Sequence, residues 1–309
     1  MSTASLYRDI ESRTGGDIYI GVVGPVRTGK RTFIKKFMEL MILPGLQNQA
    51  MKARTRDELP QSAAGRTIMT TEPKFIPEEA AEITIGEHTH FRIRMVDCVG
   101  YILPSALGYI ENDMPRMVKT PWFEEEVPFG MAAEVGTRKV IAEHSTIGLV
   151  VTTDGSITDL PRAEYAECEQ RVIAELQELG KPFAVLLNCL DPHTAAAKAM
   201  AEQLSQQYQA PVLPVSCPDL DENDICQILT ELLRVFPVRE INVCMPRWIS
   251  SLEKSHWLRE SVFSCIRQAA AEIHTIRDTA LFAEAVSTCP YVTRAAIREI
   301  DMGTGSVCA

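Results

Sequence analysis

The segment from Ile18 to Lys30 is the feature that most constrains how this chain can fold. A mostly apolar, β-branched run, 18–23, predicts a buried strand and leads directly into Gly24. Five residues after this glycine, Gly29 and Lys30 begin an amphipathic segment that predicts a helix. This layout is typical of a loop that holds nucleotide phosphates, because converging backbone N–H groups and the helix dipole favour an anion. The predicted phosphate-binding residues are Gly24, Pro25, Val26, Arg27, Thr28, Gly29, Lys30, Arg31 and Thr32.

One position departs from this motif. The residue after Gly-Lys is normally Ser or Thr, whose hydroxyl binds Mg²⁺, but this chain has Arg31 and places Thr32 one residue later. Because a helix turns about 100° per residue, Thr32 is not a simple substitute, although it is kept as a candidate metal ligand. The pattern therefore predicts nucleotide binding more directly than it predicts hydrolysis.

Charge and cysteine content argue against several classes of protein. The 309 residues carry a net charge of −10, which disfavours a nucleic-acid partner because few cations are available to displace phosphate counterions. The nine cysteines are scattered singly without a CxxC pair, so neither a zinc site nor a disulfide framework is indicated. The first residues lack the apolar core of a signal peptide, and no apolar run approaches the roughly 20 residues that span a bilayer. We therefore expect a cytoplasmic protein with reduced thiols, whose membrane contact would be peripheral.

Alternating strand and helix patterns predict an α/β fold. We expect a doubly wound, mostly parallel sheet within residues 1–237, followed by a smaller, mainly helical region over residues 238–309. Strands are predicted at 17–23, 83–85, 91–96, 146–152, 183–187 and 212–215, and helices at 30–43, 164–179, 194–207, 222–236 and 252–280. Residues 46–66 are predicted to form a loop, 101–137 an irregular working loop, and the end from Met302 a frayed segment.

Further polar residues follow in the chain order of a P-loop NTPase domain of the GTPase type. Asp97 ends an apolar run and precedes Gly100, so its carboxylate would hold Mg²⁺ through water while the Gly100 N–H would contact the γ-phosphate. Thr70 and Thr71 precede Asp97, where a threonine would reach the γ-phosphate and the metal. Each has a structural alternative: a strand-ending turn for Asp97, and strand-forming threonines at a sheet edge.

Two later segments match the positions that contact the nucleotide base in P-loop domains of the GTPase type. Asn188 and Asp191 follow the apolar run 183–187, but Cys189 replaces the lysine whose stem would wall the base. Asp191 could accept hydrogen bonds from guanine, or it could form a turn before Pro192. Ser216 matches the loop that backs the base. Within the phosphate loop, Arg27 could act on the transition state or be a solvent-exposed loop residue.

Taken together, several blocks resemble the stage IV sporulation protein A family. They are GVVGPVRTGKRTFIKKFMEL, DELPQSAAGRTIMTTEPKF, RMVDCVGY, PRMVKTPWFEEEVPF, EVGTRKVIAEHSTIGLVVTTDGSI and KSHWLRES. The resemblance runs from about Tyr7 to about Ala280, and several of these blocks belong to no general nucleotide-binding signature.

The resemblance implies a protein of the GTPase-like P-loop class that uses ATP and Mg²⁺. Such a protein would hydrolyse ATP and polymerise with itself. Together with other coat proteins, it would form the base layer of the spore coat. That layer would lie in the mother-cell cytoplasm, at the forespore surface. By position, Lys30 matches the phosphate-binding lysine, Asp97 the metal-side aspartate, and Thr70 and Thr71 the sensor threonines. The altered base motif at Cys189 fits a preference for adenine.

Two departures from the family leave alternatives open. Arg31 stands where the family has the hydroxyl that binds Mg²⁺, so a catalytically silent assembly protein that binds nucleotide is a second hypothesis. A regulatory GTPase that keeps Asp191 as its base reader is a third. The resemblance also implies a longer chain whose last domain docks on a small amphipathic membrane peptide. We therefore expect a chain ending at residue 309 to be a divergent paralogue or a truncated form without normal anchoring.

Overall fold

The computed structural model describes most of the chain, and these residues fall into two compact units. The described ranges are 17–45, 49–59, 73–85, 89–103, 110–111, 114–301 and 304–309. The first unit comprises 17–81 and 93–232, and the second 82–92 and 233–309. Thr70 and Thr71 lie outside the described residues. No helix within the described ranges is long and apolar enough to cross a membrane.

Strands and helices alternate along much of the described chain. The strands are β1 (Ile18–Val23), β2 (Lys74–Ile85), β3 (Thr89–Asp97), β4 (Ile110–Glu111), β5 (Met114–Pro115), β6 (Met117–Val118), β7 (Val127–Pro128), β8 (Ile147–Thr153), β9 (Phe183–Asn188), β10 (Val212–Val215), β11 (Glu240–Asn242), β12 (Glu299–Asp301) and β13 (Ser306–Cys308). The α-helices are α1 (Lys30–Phe37), α2 (Gln49–Glu58), α3 (Phe129–Lys139), α4 (Arg162–Glu178), α5 (Ala195–Tyr208), α6 (Glu222–Arg234), α7 (Arg247–Ser251), α8 (Trp257–Ala271) and α9 (Thr279–Ser287). Single π-helical turns, Met38–Ile42 and Val140–His144, extend α1 and α3.

A parallel sheet organises the first unit, in the strand order β10-β9-β8-β1-β3. β8 and β9 are buried along their whole length, as expected for parallel strands covered on both faces. β2 pairs with β3 at the edge. The mixed α/β architecture with a mostly parallel central sheet is therefore confirmed.

The strand order locates the most suitable place for a ligand. From β1 the chain continues to β3 on one side of the sheet, and later enters β8 on the other side of β1. In such sheets ligands bind beyond the carboxyl ends of the strands, where the order switches direction. The residues beyond these ends are the 24–29 loop after β1, the 98–103 segment after β3 and the segments after β8 and β9.

The second unit combines a small sheet with helices. β13 lies between β11, to which it is parallel, and β12, to which it is antiparallel. A core formed by Ala269, Ile273, Phe282 and Val286 joins α8 and α9.

Four predictions of local structure were wrong. The segment 101–137, predicted to be irregular, contains β6, β7 and most of α3. The predicted loop 46–66 contains α2, a helix with polar residues all round and so without the periodicity that would reveal it. The predicted helix 252–280 is interrupted after α8, because Thr275 and Asp278 form a reciprocal capping box that starts a new turn. The end predicted to fray contributes β13.

Candidate functional site

The loop between β1 and α1 depends on two glycines. Gly24 has φ 132° and Gly29 has φ 99°, which are left-handed values that side chains rarely adopt. A Cβ on Gly24 would overlap the carbonyl oxygen of Val151, and a Cβ on Gly29 would overlap the amide nitrogen of Asn188. The loop is therefore packed closely against β8 and against the end of β9, and the predicted glycine positions are required by that packing.

Lys30 opens α1 and turns back over this loop. Its side chain is buried, and its Nζ donates to the carbonyl oxygens of Gly24 at 3.2 Å and Pro25 at 2.6 Å. The Thr28 hydroxyl donates to the same Pro25 carbonyl at 3.0 Å. Burial is the main cause that lowers the pKa of Lys30, while Cys98 and Asp97 oppose the shift. An anion would favour the charged ammonium and would offer it a stronger partner than neutral carbonyls.

Asp97 and Arg31 form an ion pair beside this lysine. Asp97 lies opposite Val22 in the β1–β3 register, at the carboxyl edge of the sheet. Its Oδ2 accepts from Arg31 Nε at 3.1 Å, whereas its buried Oδ1 has no hydrogen-bond partner among the described residues. Burial raises the pKa of Asp97, and the charges of Arg31 and Lys30 offset part of that rise.

These residues do not fit a protein-held Mg²⁺. The usual ligands are a Ser or Thr hydroxyl after the lysine and one carboxylate. Here Arg31 takes the first position and directs its guanidinium onto the second, Asp97. Thr32 is half-buried on α1, about 100° further round the helix. Within the described residues, no group of three or more His, Cys, Asp or Glu side chains could hold a metal ion.

The segment after β3 closes one side of the loop. Gly100 has φ 92°, and a Cβ there would overlap the Gly24 carbonyl and crowd Lys30 Nζ. The Gly100 N–H, predicted to contact the γ-phosphate, donates to the Thr137 hydroxyl of α3 at 3.2 Å. The Val26 N–H donates to the Tyr101 carbonyl at 2.9 Å. Sequence reasoning missed Thr137, because α3 begins inside the predicted irregular segment and no motif marks it.

Asn188 connects the loop to the next part of the site. Its Nδ2 donates to the Thr28 carbonyl at 2.9 Å, and its Oδ1 accepts from the Cys217 N–H at 3.0 Å. Asn188 thus joins the phosphate-loop candidate to the segment that follows β10. The contribution of Cys217 is a backbone N–H, which no side-chain pattern could have revealed.

The other predicted base-side residues form local turns. Asp191 Oδ1 accepts from the His193 N–H at 2.9 Å, which matches the turn interpretation of that residue. The Ser216 hydroxyl donates to Asp219 Oδ2 at 2.6 Å. Arg27 is exposed at the tip of the loop with φ 62°. The structure thus brings together Gly24, Gly29, Lys30, Arg31, Asp97, Gly100 and Asn188.

Comparisons with known proteins point to one family. The family model for the ATPase domain of stage IV sporulation protein A matches residues 1–237, and the model for the middle domain of that protein matches residues 238–309. The chain is 50% identical over 305 residues to stage IV sporulation protein A of Bacillus subtilis (strain 168), and 49% identical over 305 residues to that of Bacillus anthracis. It is 46% identical over 303 residues to that of Clostridioides difficile (strain 630). These alignments cover 98–99% of this chain, and the chain spans 62% of the length of these relatives.

Proposed function

The chain belongs to the stage IV sporulation protein A family, and from that premise we propose that it binds and hydrolyses ATP. Residues 1–237 would form a P-loop ATPase domain of the GTPase-like class, and residues 238–309 the start of a middle region. The nucleotide cycle would drive self-assembly of the chain, with other coat proteins, into the basement layer of the spore coat. That layer would lie at the forespore surface on the mother-cell side.

One observation carries the enzymatic part of this proposal. Lys30 is buried at the start of α1, with its ammonium on the carbonyls of a loop bounded by two left-handed glycines, and Asp97 lies beside it. Loop N–H groups and the start of α1 would bind the phosphates, and Lys30 would exchange its carbonyl partners for phosphate oxygens. Asn188 would keep the loop in its binding conformation.

The matched test compares Lys30→Ala with Lys36→Ala. Both changes remove one lysine from α1, but only Lys30 lies against the loop. Because Lys30 would stabilise charge that develops in the transition state, we expect phosphate release from ATP to fall at least about a hundredfold in Lys30→Ala and to persist in Lys36→Ala. Equal rates in the wild type and Lys30→Ala would refute the ATPase proposal.

Assembly has its own measurement. Pelleting of the purified chain should increase with ATP and should not increase in Lys30→Ala. Pelleting that ignores ATP would separate assembly from the nucleotide cycle and overturn this part of the proposal.

The Arg31–Asp97 pair favours a second candidate, a nucleotide-binding assembly protein without turnover. If the guanidinium blocks the step that the missing hydroxyl would support, the wild type should release no phosphate above background. Arg31→Ser should then gain phosphate release in the presence of Mg²⁺. A wild type that turns over as fast as Arg31→Ser would remove this candidate.

A further inference from the structure

Arg31 lies where it can act on a bound anion. It belongs to the first turn of α1, next to Lys30, and that turn contains no acidic residue. Two cations at a helix N-terminus are unfavourable in themselves, because the positive end of the helix dipole lies there. A bound anion removes that cost. The buried Asp97 Oδ1 has no hydrogen-bond partner among the described residues. A triphosphate has no donor for this oxygen, so water that enters with the ligand would have to donate to it.

The local charge differs from that of a metal-dependent site. Arg31 brings a positive charge to the position where the motif has an uncharged hydroxyl. A guanidinium carries a delocalised positive charge. The Arg31 guanidinium is already 3.1 Å from the carboxylate that would hold the metal, and the Asp97 side chain is only 7% exposed. A second cation at Asp97 would therefore meet a like charge where solvent screens it poorly.

Arg31 also has the chemistry to contact phosphate. A guanidinium presents five N–H donors in a planar fork, so it can contact a carboxylate and a phosphate oxygen together. The bond from Nε to Asp97 orients the fork. Its side chain is 29% exposed, so a ligand can approach it from solvent.

We propose that Arg31 supplies the positive charge that Mg²⁺ brings to related sites, so that this chain binds a nucleoside triphosphate without a divalent cation. The inference rests on the proposed function for the identity of the ligand. It adds that the chain's own cation, rather than a metal, completes the site.

The experiment measures binding, not turnover. ATP is titrated into the purified full chain by calorimetry, once with excess EDTA and once with excess Mg²⁺. We expect the wild-type Kd in EDTA to lie within about threefold of the value in Mg²⁺. For Arg31→Ser, which restores the residue type that the motif calls for, we expect the Kd in EDTA to rise at least about tenfold, because one charge-assisted contact is lost. Mg²⁺ should recover most of that loss.

Two controls separate charge from folding. Lys36→Ser removes a cation from the same helix and should leave the wild-type pattern unchanged. Arg31→Lys keeps the charge without the fork and should lose part of the binding in EDTA. Circular dichroism confirms that each variant is folded.

The outcomes distinguish this inference from the proposed function. ATP binding by the wild type that EDTA abolishes would overturn the inference and leave nucleotide binding intact. EDTA-resistant binding that Arg31→Ser retains would also overturn it, because Arg31 would then not be responsible. An absence of ATP binding under both conditions would overturn the inference and the proposed function together.

Discussion

Replacing Asn188 with alanine should loosen the phosphate-loop candidate from the rest of the site. The Asn188 side chain makes two buried hydrogen bonds. Its Nδ2 donates to the Thr28 carbonyl, and its Oδ1 accepts from the Cys217 N–H. The substitution removes both and leaves a buried acceptor and a buried donor without those partners. A buried polar group that loses its partner costs about 1–3 kcal/mol. Because Thr28 and Cys217 are both fully buried, we expect the two losses to add up to about 2–6 kcal/mol in the free energy of unfolding.

Two measurements check this magnitude. Urea unfolding gives the change in the free energy of unfolding, and native-state hydrogen exchange reports on the Cys217 amide, whose exchange should accelerate at least about tenfold for each 1.4 kcal/mol lost. Asn188→Asp keeps the acceptor for Cys217 and loses the donor to Thr28, so Cys217 should stay protected. Asn242→Ala, an exposed asparagine elsewhere in the chain, should change little.

An Asn188→Ala variant that unfolds within about 0.5 kcal/mol of the wild type, with unchanged exchange at Cys217, would refute the reasoning. It would mean that the two bonds contribute no more than water does in their place.

Three further predictions concern other parts of the chain. Glu169 is fully buried and accepts a hydrogen bond from Arg162 at 2.7 Å. Glu169→Ala would leave this cation without its partner, so the free energy of unfolding measured in urea should fall by about 3–5 kcal/mol. A fall of less than about 1 kcal/mol would contradict this. Burial raises the pKa of the Cys98 thiol to about 11, so the folded state keeps a proton that the unfolded state gives up from about pH 9. The free energy of unfolding should therefore fall as the pH rises from about 9 to about 11, and Cys98→Ala should flatten that fall; an unchanged slope would count against it. The thiols of Cys244 and Cys308 lie 3.8 Å apart. Oxidised glutathione should therefore form a disulfide between them, with release of two molecules of reduced glutathione. Mass spectrometry should detect this bridge in the wild type and not in Cys244→Ser.

The sequence predicted the elements whose periodicity reflects burial. β9 and β10 were predicted at 183–187 and 212–215, and the structure has Phe183–Asn188 and Val212–Val215. These strands are apolar runs bounded by polar or turn-forming residues, so pattern and environment agree. α2 was missed for the opposite reason, since a helix that is polar all round shows no apolar stripe.

The site was predictable where backbone conformation demands a particular residue type. Gly24 and Gly29 stand out in sequence, because few other residues tolerate their φ values. The pairing of Arg31 with Asp97 was not predictable, because the two residues are 66 positions apart and only the β1–β3 register brings them together. The Thr137 hydroxyl, which accepts from the Gly100 N–H, was missed because it lies in a segment predicted to be irregular, where no motif marks it.

The two cations that begin α1 connect the supply of ligand to the persistence of the fold. With Lys30 and Arg31 at the positive end of the helix dipole, the start of α1 carries an electrostatic cost that the proposed triphosphate would remove. Binding to the folded form alone adds about 2.7 kcal/mol when the free ligand is a hundred times its Kd. Under the proposed function, the folded fraction of this chain would therefore rise with the concentration of nucleotide around it.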